Sequence, residues 1–360
     1  MVQSTPMDPS PPVSFKSHNP KFRSILGPSP SISLLAEDPN GLPMYHEACI
    51  YHQPTQSIII TSNQIPLPLD QSDESTSNKT IKISRVYDSS PAAFSTSVHV
   101  EDITPPSLVM ANGGVNYGSG ILICAQGNKS LTGTSGIVHI PDLSKPHTCI
   151  SLISTFHYRA FNSVNDIIVH PHDGSIWFTD PWYGYKQGFR PKPVLPSHVY
   201  RFEPETGAIR TMADGFDRPN GLCFSPDCQT LYVTDTGAIS GDQNRPLDPT
   251  GKSHIYAFDV VPSRSDVTQP FLTNRRLFAY ASGLLPDGIK CDLAGNVYSG
   301  CGDGIEVWDA SGVLLGTIEV KGGVANFCFG EKGTLYICNE TRLWKARLTG
   351  EGVRGALLGI

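Results

Sequence analysis

Four polar side chains hold the same position relative to a following apolar segment, and all four carry oxygen atoms that could bind a hard cation. They are Glu47 in PMYHEACIYH, Asn165 in FNSVNDIIVH, Asn220 in DRPNGLCFSPD and Asp287 in LLPDGIKCD. Two carboxylates and two amide carbonyls form an oxygen-only donor set, which suits calcium, magnesium or manganese rather than a metal that prefers thiolates. The two carboxylates also match the charge of one divalent cation. The sequence therefore predicts one bound divalent cation, with calcium favoured.

A cation held in this way could polarise a carbonyl oxygen and lower the pKa of a bound water molecule. Asp287 could contact the cation and also accept a proton, as a general base does. Each residue has an ordinary explanation too, because Asn in P-N-G or V-N-D and Asp in P-D-G are common in turns. The recurrence of the four at one position of a repeat favours the joint site over four separate turns.

A long segment, PWYGYKQGFRPKPVLP at 181–196, is aromatic and stiffened by proline. It is either an ordinary long loop or a wall over the site. In the second case it would contact the substrate through Trp182, Tyr183, Tyr185 or Arg190. The sequence has no G-x-S-x-G motif of serine hydrolases and no dinucleotide-binding G-x-G-x-x-G.

Short strands of a repeating pattern must position these residues. A turn rich in Asp, Gly, Pro or Ser precedes an apolar strand that ends in a small polar residue. The copies are PTQSIIITS, NYGSGILICAQG, HDGSIWFTD, PDCQTLYVTD, LAGNVYSGCG and EKGTLYICNE. Six copies at this spacing predict an all-β, six-bladed β-propeller. Because such a ring must hide its last edge strand, we expect a strand near 343–348 or near the start of the body to complete a blade with the opposite terminus.

Composition sets the domain organisation. Charged residues are 17% of the chain, with 34 glycines and 30 prolines, which suits turns and short strands better than helices. Residues 1–30 are rich in proline and serine, and we expect a loosely ordered N-terminal arm there. Residues 31–360 are predicted to form a single propeller domain.

The charge and apolar patterning also exclude some partners. The net charge of −6 leaves no basic stripe for nucleic acid, and no apolar run is long enough to cross a membrane. The first residues lack the pattern of a signal peptide, and the nine cysteines include no C-x-x-C pair. We therefore expect a cytoplasmic protein, and the sequence leaves its oligomeric state open.

Three of the segments that carry these residues resemble a known family. They are VNDIIVHPHDGSIWFTDPWYGY, RPNGLCFSPDCQTLYVTDTGA and LPDGIKCDLAGNVYSG. In order and approximate spacing they are similar to the senescence-marker-protein/gluconolactonase/luciferin-regenerating-enzyme family, and within it to the fungal lactonohydrolase-like branch. The resemblance covers about residues 40–350. It implies a six-bladed propeller with one divalent metal at the channel mouth, in a family of which many members open lactone rings.

Carried over by position, the resemblance implies that Glu47, Asn220 and Asp287 bind the metal. It also implies that Asn165 binds the metal or contacts substrate, and that Asp287 acts as general base, so Asp287 and Asn165 are the candidate catalytic residues. One departure lies after Glu47, where the family often has E-G-P and this chain has E-A-C. The departure keeps the acid and leaves the substrate preference open.

These observations predict a metal-dependent hydrolase that opens a small-molecule lactone at the channel mouth. Two alternatives stay open. The same pocket could serve a non-hydrolytic step, such as a cyclisation in a biosynthetic pathway, or the propeller could bind calcium or a partner without catalysis.

Overall fold

Antiparallel strands make up most of the regular structure and are grouped in consecutive sheets around a channel. The structure, a computed structural model, describes residues 12–88, 98–130, 134–144, 148–241 and 246–359. Six sheets of four or five strands follow one another along the chain, and the first strand of each contacts the first strand of a neighbouring sheet. This arrangement confirms the predicted all-β, six-bladed propeller.

The first four blades have four strands each. Counted from the channel outward, these strands are Glu47–His52, Ser57–Thr61, Ile83–Tyr87 and His99–Asp102 in the first blade, and Ala111–Tyr117, Gly120–Ala125, Gly136–Ile140 and Ile150–Ile153 in the second. They are Ile167–Val169, Ile176–Asp180, His198–Phe202 and Ile209–Ala213 in the third, and Pro219–Phe224, Thr230–Asp235, His254–Pro262 and Pro270–Tyr280 in the fourth.

The last two blades each take their outermost strand from the start of the chain. The fifth contains Ile289–Cys291, Val297–Cys301, Gly304–Trp308 and Leu314–Val320, and the sixth contains Phe327–Phe329, Thr334–Asn339 and Arg342–Arg347. Ser31–Glu37 pairs with Arg342–Arg347 and completes the sixth blade, which confirms the predicted closure between the two termini. Val13–Ser17 adds a fifth strand to the fifth blade.

The N-terminal arm is more regular than we expected. Helix α1, Pro20–Leu26, follows the strand Val13–Ser17, with the Asn19 side chain accepting a hydrogen bond from the Lys21 amide at its start and Gly27 at its end. Phe22 of α1 is fully buried in the apolar cluster between the fifth and sixth blades. The expectation of a loose arm is therefore wrong for the described part, because apolar residues anchor it, while residues 1–11 lie outside the described residues.

The remaining elements are short. Helix α2 spans Tyr183–Lys186, and 3-10 turns span Gln53–Thr55, Leu69–Gln71, Glu74–Thr76 and Glu331–Gly333. Two small hairpins pair Ile65–Pro66 with Lys79–Thr80 and Thr155–Phe156 with Arg159–Ala160. Among the described residues, no helix combines the length and the apolar character that a membrane crossing needs.

Apolar side chains of neighbouring blades pack against each other and hold the blades at fixed positions. Trp177 and Trp308 are among the largest fully buried side chains, and each lies in a cluster shared by two consecutive blades. Burying a side chain of this kind contributes about 1.5–3 kcal/mol relative to leaving it exposed. This packing fixes the inner strands relative to one another, so residues at the beginnings of these strands are held in defined positions.

Candidate functional site

A cavity of about 990 Å³ is lined by residues at the beginnings of several inner strands. All four predicted ligands line it, namely Glu47, Asn165, Asn220 and Asp287. They come from four different blades and are separated by up to 240 residues in the sequence. The structure thus brings the four together, while their binding of a cation stays a prediction.

Each of the four residues lies where an inner strand begins. Glu47 and Asn220 are the first and second residues of their strands, and Asn165 and Asp287 come two residues before theirs. The pairing register shifts between Glu47 and Ile50, which marks a bulge. Ala48 and Cys49 inside this bulge have φ of 60° and 48°, a left-handed geometry that favours glycine. The bulge therefore directs Glu47 into the cavity at some cost in backbone strain.

Threonine hydroxyls connect these positions between blades. Thr179, on the second strand of the third blade, donates to the main-chain carbonyl of Asn220 at 2.8 Å. Thr234 of the fourth blade donates in the same way to the carbonyl of Asp287 at 2.9 Å. Thr61 of the first blade repeats the contact with the carbonyl of Asn112 at 3.0 Å. Each blade that has this threonine fixes the cavity-lining residue of the next blade.

Several buried oxygen atoms in or next to the cavity have no hydrogen-bond partner among the described residues. These atoms are Asn165 Oδ1, Asn220 Oδ1 and Asp287 Oδ1 of the predicted ligands, together with Asp166 Oδ2 and Asn112 Oδ1. A buried polar atom without a partner costs about 1–3 kcal/mol, so natural proteins rarely keep several in one place without an ion, ligand or ordered water to satisfy them.

Carboxyl groups also crowd together around Glu47, close enough to influence one another's pKa values. Burial, and after it the Glu47 carboxylate, raises the pKa of Asp287 well above its ordinary value. Burial and Glu47 likewise raise the pKa of Asp166 to about 6, although Lys290 acts in the opposite direction. A cation among these groups would offset the repulsion that contributes, after burial, to both raised pKa values.

The donor set fits a hard divalent cation. Glu47, Asn165 and Asn220 are buried, Asp287 is partly exposed to the cavity, and all four offer oxygen atoms. Within the described ranges, no three His, Cys, Asp or Glu side chains form a metal-binding group by themselves. Amide oxygens would therefore have to supply part of the coordination.

An ion pair lies at the rim next to Glu47. His46 Nδ1 is 2.7 Å from Glu340 Oε1, and Asn63 donates to the other carboxylate oxygen of Glu340 at 3.2 Å. Burial lowers the pKa of His46, but Glu340 and then Glu47 outweigh this effect and raise it to about 9. All three rim residues line the cavity, so a positively charged imidazole borders the predicted cation site.

The segment 181–196 forms part of the cavity wall, but most of the residues that line the cavity are not the ones we predicted. Of the four predicted substrate contacts, only Tyr183 lines the cavity, together with Lys186 and Gln187. Burial and the nearby charge of Asp287 raise the pKa of Tyr183, so its hydroxyl stays protonated and can donate a hydrogen bond. Gln187 accepts a hydrogen bond from Gln64 at 2.6 Å, which joins this wall to the opposite loop.

Trp182, Tyr185 and Arg190 do not line the cavity, and the structure does not support the predicted contacts with substrate. Trp182 donates to the Leu195 carbonyl at 3.0 Å, and Tyr185 is exposed outside the cavity. The Arg190 guanidinium is buried and donates to the carbonyls of Asn162, Asn128 and Phe161, each at 2.8 Å. Its hydrogen-bonding capacity holds the loop in place, a role that only the fold reveals.

The four predicted ligands belong to a ring of residues located where the six inner strands begin, and sequence reasoning missed two members of this ring. Asn112 and Asn326 come where the inner strands of the second and sixth blades begin, as the four predicted residues do in the other blades. Asn112 lines the cavity, and Asn326 donates to Glu47. The signal was available, because each precedes a repeat copy, in ANGGVNYG and ANFCFG.

The chain belongs to the SMP-30/gluconolactonase/LRE-like family, whose defining region matches residues 108–341. It is 33% identical to a lactonohydrolase of Aspergillus oryzae (oryL) over 244 residues, which are 64% of this chain and 54% of that protein. It is 30% identical to a gluconolactonase of Zymomonas mobilis over 223 residues, covering 60% of this chain and 58% of the relative. The chain thus spans little more than half the length of these curated relatives.

A solved structure covers the chain more completely. It is described as a gluconolactonase from Xanthomonas campestris, with 25% identity and a TM-score of 0.69, covering 95% of this chain and 99% of that one.

Proposed function

We propose that the protein is a divalent-cation-dependent lactonase that opens a lactone ring by hydrolysis at the channel mouth. The observation that carries this proposal is the set of buried, unpartnered oxygens of Asn165, Asn220 and Asp287 in one cavity with Glu47. The family, and relatives that are named lactonohydrolase and gluconolactonase, support the reaction class.

Glu47, Asn165, Asn220 and Asp287 would hold the cation, and calcium suits their oxygen-only set. When bound, such a cation supplies Lewis acidity toward the lactone carbonyl. Asn165 could also contact the substrate, because its amide Nδ2 can donate a hydrogen bond while its Oδ1 faces the ion. Tyr183 can donate a hydrogen bond to the substrate from the wall.

Asp287 is the proposed general base. Its carboxylate would take a proton from the attacking water as the oxygen of that water bonds to the carbonyl carbon. The ring C–O bond then breaks, and the same proton passes to the departing ring oxygen, which becomes the free hydroxyl of the product. General-base catalysis of this kind contributes about 10²–10⁴-fold to a rate.

The test is a lactone panel with and without a chelator. Aldonolactones and alkyl-substituted γ- and δ-lactones are offered to the protein, and acid release is followed with a pH indicator. We expect turnover that EGTA abolishes and that added calcium, magnesium or manganese restores. Asn220→Ala should lose activity, whereas Asn296→Ala, which removes an amide that binds Asp292 in a distant turn, should keep it.

Two results would contradict the proposal. Full turnover by metal-free protein would exclude a role of the cation in catalysis. Thermal stabilisation by calcium without turnover of any lactone would favour a cation-binding propeller or a non-hydrolytic enzyme instead.

A further inference from the structure

Asn326 has a buried side chain that contacts a predicted ligand directly. Its Nδ2 donates to Glu47 Oε2 at 2.8 Å, and its Oδ1 accepts from the main-chain amide of Phe327 at 2.8 Å. The Lys290 ammonium approaches the same Oδ1 at 3.4 Å. Asn326 is fully buried, so water does not compete for these hydrogen bonds.

The two donors on Oδ1 fix the orientation of the amide. A main-chain N–H and an ammonium can only donate, so the atom that faces them must be the carbonyl oxygen. The NH₂ group then has to face Glu47, where it can donate to a carboxylate oxygen. The reverse orientation would place Oδ1 against the Glu47 carboxylate. It would also place the NH₂ group against the Phe327 amide and the Lys290 ammonium, which can only donate.

The backbone beside Asp287 is shaped to admit this amide. A Cβ on Gly288 would lie 2.3 Å from Asn326 Oδ1 and 2.4 Å from its Cγ, so only glycine leaves room for the side chain. Gly288 also donates its amide to the Ala325 carbonyl at 2.8 Å. The sixth blade thus places Asn326 between the residue that follows Asp287 and the Glu47 carboxylate.

We propose that Asn326 is a positioning residue that holds Glu47 in the orientation that binds the cation, with its own amide fixed by Phe327 and Lys290. This inference rests on the proposed function, because it assumes that Glu47 is a ligand. Asn326 itself would direct its oxygen away from the ion and bind no metal. The ring of six equivalent positions then has distinct roles, with the sixth blade supporting the first.

The test measures cation affinity without any substrate. Wild type, Asn326→Ala and Asn326→Asp are titrated with calcium after chelator treatment, by calorimetry and by the shift in melting temperature. Removing a hydrogen-bond partner of a metal ligand typically costs 10–100-fold in affinity, and we expect this loss for Asn326→Ala. Asn326→Asp preserves the shape and the Phe327 contact but faces Glu47 with an oxygen, so it should also weaken binding.

The aspartate variant separates orientation from simple electrostatics. An added negative charge near a cation site would tighten binding if Glu47 kept its place, whereas binding weakens if the amide donor is what holds Glu47. Asn116→Ala is the matched control, since it removes an amide hydrogen bond to the Tyr51 carbonyl farther along the Glu47 strand. We expect the calcium affinity of this variant to stay within about twofold of wild type, which is too small a change for the loss of an interaction with a metal ligand.

Kinetics and melting provide a second readout. At saturating calcium, kcat of Asn326→Ala should return to near the wild-type value. Its melting temperature in chelator should fall, because the Phe327 amide and Glu47 Oε2 each lose a buried partner, so the calcium-induced shift is compared within each variant. Unchanged or tighter calcium binding by Asn326→Asp would overturn the proposal, as would wild-type affinity in Asn326→Ala or a wild type that binds no cation. If the wild type binds calcium but hydrolyses no lactone, the proposed activity fails while the affinity ratios still decide the role of Asn326.

Discussion

Asp287 is the single residue on which the proposed chemistry depends most. It is the only one of the four predicted ligands that combines a basic carboxylate, an unpartnered oxygen and partial exposure to the cavity. Glu47 is buried and has one oxygen occupied by Asn326, so it is less able to exchange a proton with substrate. Asn165 and Asn220 have no basic atom.

Exchanging acid and amide at two positions should produce opposite defects. Asp287→Asn keeps an oxygen donor but removes the basicity, so we expect weaker cation binding and a rate reduced by about 10²–10⁴-fold. Asn220→Asp adds negative charge beside the cation, so it should retain or tighten the ion while slowing turnover, because stronger donation weakens a Lewis acid. Calcium titration and steady-state kinetics on the best lactone measure both. Near wild-type turnover by calcium-saturated Asp287→Asn would show that another group is the base.

The ring of residues shows what local sequence can and cannot specify. Glu47, Asn165, Asn220 and Asp287 were predicted because each is a polar residue placed just before an apolar strand. The orientation of Glu47 could not be predicted, since it depends on Asn326, 279 residues away. The sequence left the role of Arg190 open for the same reason, because an arginine in an aromatic loop can contact a substrate or bind main-chain carbonyls, and here its guanidinium donates to three carbonyls.

At the level of elements, the second strands do more than complete the sheets. Thr179 and Thr234, each one residue before the end of its strand, donate to the carbonyls of cavity residues in the next blade, so strand pairing in one blade helps to position a predicted ligand in another. Asp180 and Asp235, the last residues of these strands, make a related contact. Each carboxylate accepts hydrogen bonds from main-chain amides of the loop that leads into the inner strand of the same blade. The recurrent T-D ending of the repeat was visible in the sequence, but its partners were not.

The Thr234 hydroxyl offers a direct test of this coupling. Thr234→Val preserves the shape of the side chain but leaves the Asp287 carbonyl without its donor at 2.9 Å. We expect the free energy of unfolding to fall by about 1–3 kcal/mol, the cost of a buried group without a partner. Calcium affinity should fall as well, because the Asp287 backbone loses a tether. Urea denaturation and calcium titration measure the two effects, and Thr234→Ser, which keeps the hydroxyl, should retain the calcium affinity. A valine variant with wild-type calcium binding would contradict the coupling.

At the scale of the whole molecule, the repeat alone was enough to predict the ring. Six copies of a strand pattern imply six blades, and a closed ring implies a strand shared between the termini, as Ser31–Glu37 on Arg342–Arg347 shows. The additional strand Val13–Ser17 and α1 could not be foreseen, because their residues belong to no repeat and their apolar side chains, such as Phe15, Phe22 and Ile25, show no regular pattern before they pack on the last two blades. Tertiary packing gave order to a segment whose composition favours none.

The two N-terminal strands should therefore contribute differently to stability. Among the described elements, deleting residues 1–18 removes only the fifth strand of the fifth blade, and the other four strands of that blade and helix α1 remain. We expect this variant to stay folded, with a lower melting temperature and calcium binding close to wild type.

Deleting residues 1–38 also removes the strand that closes the sixth blade, which exposes the edge of Arg342–Arg347 and part of the apolar cluster between the last two blades. Because an unpaired edge invites aggregation and an open ring loses blade-to-blade packing, this variant should lose cooperative melting and aggregate. Circular dichroism melts and size-exclusion chromatography distinguish the two, and closure by the first strands would be disproved if the longer deletion melted as the shorter one does.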